Sequence, residues 1–116
     1  MLLNRNAILA AQDLPAETVS VPEWGGEVRV RVLTGTERDA MSAAMVGADR
    51  QLDLSTYKLR LVAASLVDEQ GQRLFADAEI AMLGAKSSLA LERVFVVADR
   101  LNALNLGAIE EAEKNS

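Results

Sequence analysis

At 116 residues the chain is the size of one domain, long enough to bury about two-thirds of its unfolded surface around a single core. Half of the residues are apolar but only four are aromatic (Trp24, Tyr57, Phe75 and Phe95), which favours Leu, Val, Ile and Ala helices on a small sheet over an aromatic-rich β-sandwich. A net charge of -5 repels nucleic-acid phosphates and anionic lipid, and no apolar run approaches the roughly 20 residues of a bilayer-spanning helix.

The opening MLLNRNAILAA is broken by Asn4, Arg5 and Asn6 and does not read as a signal peptide. Together with the absence of cysteine it suits a reducing cytosol. NAILAAQDL is predicted to form one or two helical turns, ended at Pro15.

The clearest strand signal runs over residues 17–33. Val19 and Val21, then Val28, Val30 and Val32, alternate with Thr18, Ser20, Glu27, Arg29 and Arg31. Between the two runs PEWGG holds a proline and two glycines, so the segment is predicted to be a hairpin with a loop of about five residues. Arg29 and Arg31 read as a solvated edge blunted by Glu27, since a nucleic-acid platform would add aromatic residues on that face.

Thr34 with Glu37 three residues later makes a capping box for a helix over TGTERDAMSAAMVG, which Gly47 is expected to end. DLSTYKLRLVAASLV is predicted as a second helix, capped by Asp53 or Ser55, with Leu54, Tyr57, Leu61 and Ala64 on one face. VDEQGQRLF then reads as a turn and a short extended piece. Asp77 is expected to cap a short helix closed by Gly84. Ser87 opens the longest helix, whose stripe is Leu91, Val94, Phe95, Ala98 and Leu101. Gly107 can stop it, leaving residues 1–107 as one domain and 108–116 as a short acidic tail. The expected fold class is α+β: an N-terminal β-hairpin, as a small antiparallel sheet, packed against a bundle of about four helices.

Catalysis lacks its usual carriers, because the chain has neither His nor Cys. Lys86 and Ser87 read better as a solvated charge and a cap than as a Ser-Lys dyad. Asp68 and Glu69 lack the spacing of a calcium loop, and WGG lacks the Lys-Ser/Thr of a phosphate loop. No catalytic residue, cofactor or metal is expected. What remains are adaptable apolar residues: Met41, Met45 and Met82, whose plain role is core filling and whose functional role is a binding surface, and Trp24, either a lid on the core or an anchor for a partner.

Over nearly its whole length the chain resembles the tail assembly chaperones of long-tailed, siphovirus-type bacteriophages and prophages. The resemblance is carried by ILAAQDL, by VPEWGG followed by alternating Val/Arg and TERD, and by SLVDEQGQRLF, LGAKS, LNAL and EEAEKNS in that order. It implies a non-enzymatic protein of the host bacterial cytoplasm, absent from the mature virion. Such a protein binds the tape measure protein and keeps it soluble while tail subunits assemble. The partner-binding candidates are Trp24, Met41, Met45 and Met82; no nucleic acid or membrane is expected, and self-association is left open. The resemblance also implies a longer frameshifted product whose extension recruits the major tail protein. Glu113, Lys114 and Asn115 can be encoded GAA AAA AAC, which contains the slippery heptamer A AAA AAC. The alternative is a structural tail component, a connector or completion protein that stays in the particle and forms rings.

Overall fold

The computed structural model describes residues 1–47, 49–50 and 56–104. The expected caps Asp53 and Ser55, Leu54, the stop at Gly107 and the acidic tail 108–116 lie outside the described residues.

The hairpin forms where the alternation predicts it. β1 (Ala16–Val21) pairs antiparallel with β2 (Gly26–Arg31), in a register that sets Val19 against Val28 and Val21 against Gly26. Val21 and Val30 are fully buried, and Val19 and Val28 pack against the same core. A 3-10 turn over Pro22–Trp24 joins the strands, with proline where no N–H is needed. Gly25 closes it at φ 75, a backbone conformation that a side chain would strain.

β3 (Leu66–Val67) adds to the other side of β2, giving the order β1-β2-β3. This corrects two expectations. The second long helix, α3 (Tyr57–Ser65), stops before Leu66 and Val67 rather than running through them. In the turn that follows, the Asp68 carboxylate accepts from the N–H groups of Gln70 and Gln72, and Gly71 takes φ 81. The turn folds Arg73 back against Val67, and Leu66 and Val67 gain both burial and strand partners.

β2 is therefore the central strand, so Arg29 and Arg31 do not lie on a sheet edge; Arg29 is exposed, as expected, while Arg31 is partly buried. Arg31 donates to the Gly71 carbonyl at 3.0 Å and Arg29 to that of Glu69 at 3.4 Å, so the pair straps the turn after β3 to the sheet. Arg31 also pairs with Glu37, and its side chain is only 13% exposed.

α2 (Gly35–Ala44) begins with the expected capping box: Thr34 Oγ1 accepts from Glu37 N at 3.1 Å, and the Glu37 carboxylate accepts from Thr34 N at 2.8 Å. It ends before Gly47. The N–H groups of Met45 and Val46 take the carbonyls of Ser42 and Ala43, tightening the last turn instead. α4 (Ile80–Gly84) follows a 3-10 turn over Asp77–Glu79. Asp77 is not its cap. Glu79 accepts from Ala76 N at 2.8 Å, while the Asp77 carboxylate takes a hydrogen bond from Arg73 at 2.9 Å.

α5 (Ser88–Leu101) is capped by Ser87, whose Oγ accepts from Leu89 and Ala90. Its buried residues Ala90, Val94, Phe95 and Ala98 lie against α3 and the inner face of β1 and β2. Tyr57 of α3 meets Phe95 edge-on, with ring centroids 5.7 Å apart. The observed architecture is α+β, as expected: a three-stranded antiparallel sheet with helices on one face. The exception is α1 (Arg5–Ala10), capped by Asn4, which buries none of its residues.

Candidate partner-binding groove

The four sequence candidates separate into two places. Met41 and Met45 are 5% and 7% exposed and belong to the core cluster beside Leu33 and Tyr57. Met82, on α4, is 63% exposed, and it shares a groove with Trp24 of the hairpin turn.

This groove has a volume of about 650 Å³. Leu66 and Leu83, both buried, line it together with the half-buried Val28 and Phe75. Leu74 and Met82, both exposed, give it an apolar margin. Glu23 and Lys86 supply its charges. The hairpin turn places Trp24, the strap of Arg29 and Arg31 fixes the turn leading to Leu74 and Phe75, and the short α4 presents Met82. Trp24 Nε1 is shielded from water and has no acceptor among the described residues. That unsatisfied donor raises the cost of holding the indole in place.

The wall formed by the hairpin turn is tied to α5. Arg93 donates from Nε and Nη2 to the Glu23 carboxylate at 2.9 and 3.1 Å, and these hydrogen bonds hold Glu23 below the usual carboxylate range. Leu89 and Val96, four before and three after Arg93, are exposed on the same helix face. The apolar margin therefore continues past the ion pair onto α5. Sequence reasoning missed Leu74, Phe75, Leu89 and Val96 as surface features, because each is apolar and reads as core until the fold shows which side it takes.

A smaller cavity of about 140 Å³ lies between α2, α3 and the turn before α4. Its charged lining is internally matched: Arg73 pairs with Asp77, Glu37 with Arg31, and Arg60 donates to Thr56. Among the described residues no cluster of three or more acidic side chains is placed to hold a metal ion, and no helix is long and apolar enough to cross a membrane.

No family model matches the chain, and no curated protein matches it. A solved structure does. The chain is similar to the tail assembly chaperone of bacteriophage HK97, with a TM-score of 0.56 and 20% sequence identity over 81% of this chain and 89% of that one. The chain thus has the fold of a tail assembly chaperone, reached from a sequence four-fifths different.

Proposed function

We propose that this protein is a non-enzymatic phage tail assembly chaperone that binds the tape measure protein in the host cytoplasm and keeps it soluble during tail assembly. The observation that carries the reading is the fold shared with the HK97 chaperone across 89% of that chain. The groove supports it independently. Met82 on the groove margin re-packs easily against different apolar helix faces, which suits a client presenting many similar stripes along its length. The net charge of -5 keeps such a complex dispersed.

The test is co-expression with the tape measure protein of the same phage or prophage, followed by partition between soluble and pelleted fractions. The client is expected in the soluble fraction with the intact chain and in the pellet with Met82→Asp or Trp24→Ala. Stoichiometric recovery of the chain in purified particles would instead make it a structural tail component.

The proposal extends to a longer product that reaches the major tail protein. What supports it is the tripeptide Glu113-Lys114-Asn115. Synonymous recoding of codons 113 to 115 should abolish a minor, heavier species seen by intact mass in the native gene context. If that species is absent before recoding, this part of the proposal is lost and the chaperone reading is untouched.

A further inference from the structure

We propose that the cavity enclosed by α3, α4 and the start of α5 is the docking site of the chain's own acidic segment, residues 109–113, with Ile109 in the hollow and the carboxylates that follow it on Lys86. The inference goes beyond the chaperone reading and does not depend on which client the Trp24–Met82 groove serves.

The first support is the cavity itself. It has a volume of about 270 Å³ and shares one lining residue, Lys86, with the Trp24–Met82 groove. Val62, fully buried, and Leu59 and Leu91, half-buried, make its lining apolar. Lys58 is already engaged there: it pairs with Glu92 at 3.1 Å and lies over the Phe95 ring, 5.2 Å from the centroid. Lys86 is exposed, and its ammonium has no hydrogen-bond or ion-pair partner among the described residues. In a chain of net charge -5, an uncompensated ammonium beside an apolar hollow is a local reversal of sign. An aliphatic side chain followed by carboxylates is its complement.

The second support is that the chain carries such a segment. Ile109 is followed by Glu110, Glu111 and Glu113. The exposed arm around α1 offers Ile8 and Leu9 but no carboxylate within residues 1–11.

The third support is reach and direction. α5 ends in a reversal, with Ala103 at φ 52 and Leu104 N donating to the Asp99 carbonyl at 3.2 Å. The chain is thus bent back to Asp99, two turns after Glu92 on the same helix face and about 10 Å from it along the axis. The five residues from Leu104 to Ile109 span at most about 18 Å, enough to set Ile109 beside Leu91. A tether this short supplies an effective concentration on the order of millimolar, so a contact too weak for a free peptide suffices.

Because Lys86 lines both hollows, the docked segment sets its carboxylates at the margin of the groove. An occupant of the groove whose apolar stripe is flanked by acid must displace the segment from Lys86, whereas one flanked by Lys or Arg is drawn to it. The segment therefore selects against acid-flanked occupants.

The chain has no cysteine, so Asn115→Cys gives a nitroxide one attachment point and leaves residues 109–113 unaltered. In the isotope-labelled full chain, the amide signals of Leu59, Gly84, Lys86 and Leu91 should lose intensity relative to the same sample after ascorbate reduction, and Lys86→Glu should restore them. Adding Glu110→Lys/Glu111→Lys to Lys86→Glu should bring the loss back, which a merely structural role of Lys86 would not do. A mixture of isotope-labelled chain without nitroxide and unlabelled chain bearing it should show no loss at these residues, which keeps the contact within one copy. Loss confined to the last turn of α5 and the neighbouring Glu17, or spread evenly over the chain, overturns the proposal. Loss that survives Lys86→Glu, or that appears in the mixture, overturns it as well.

Discussion

Glu37 serves two partners with one carboxylate: it closes the capping box on Thr34 N and accepts from Arg31, while its backbone N–H is held by Thr34 Oγ1. Glu37→Ala should therefore cost about 2 kcal/mol, a lost cap plus a largely buried guanidinium left with fewer partners. Urea unfolding checks this, and a loss under about 0.5 kcal/mol would show that water replaces the carboxylate. Asn102 is the buried counterpart at the far end. Its Oδ1 accepts from Leu33 N at 2.9 Å and its Nδ2 donates to the Ala98 carbonyl at 2.9 Å. The two ion pairs that α5 makes with the hairpin behave differently, being open to solvent. Glu17 and Glu23 are both held below the usual carboxylate range, chiefly by hydrogen bonds from Arg100 and Arg93. Their stabilisation is present above the unfolded value of about 4.3 and is lost as pH falls through the depressed folded values. Melting temperature should drop across that acid window, less so in an Arg93→Gln/Arg100→Gln double variant, and less at high salt. Identical acid profiles for the two proteins would remove the pairs from the account.

Elements were legible in the sequence where their determinants are local. Thr34 with Glu37, and Ser87 before its apolar stripe, announce helix starts within four residues, and the Val alternation around PEWGG contains its own turn. β3 was not legible, because Leu66 and Val67 continue a helical pattern and become a strand only through β2, more than thirty residues away. Asp77 misled for a similar reason: Arg73 claims its carboxylate, and Glu79 reaches back in its stead. Trp24 and Met82 could be singled out from chemistry, but their meeting in one groove needs the fold. The end of α5 shows a determinant that sequence hides altogether. Ala103 sits at φ 52, its N–H bonds to Arg100 O, and that of Leu104 to Asp99 O, the double closure that usually employs glycine. Ala103→Gly should stabilise by about 1 kcal/mol, or roughly 4 °C in melting temperature. A lower melting temperature would mean that unfolded-chain entropy outweighs the relieved strain.

At the scale of the whole molecule, the proposed binding groove and the core are built from different residues. The core runs through Val30, Leu61, Val94 and Phe95, whereas the groove margin at Met82 and Leu74 adds little to it. Met82→Asp should leave the melting temperature within about 2 °C of the parent, the ordinary range for a surface change, while losing client solubilisation. A large drop in stability would place Met82 in the core's service instead. The bond between Asn102 and Leu33 joins residues 69 apart in the chain, and this separation has a consequence in time. A ribosome adding roughly 5–20 residues each second needs about 3–14 s to travel from one to the other. Until α5 is made, Val19, Val21, Val28 and Val30 lack the helix that packs against them in the folded protein. During its own synthesis, this protein passes through the same exposed condition from which it would shield its client.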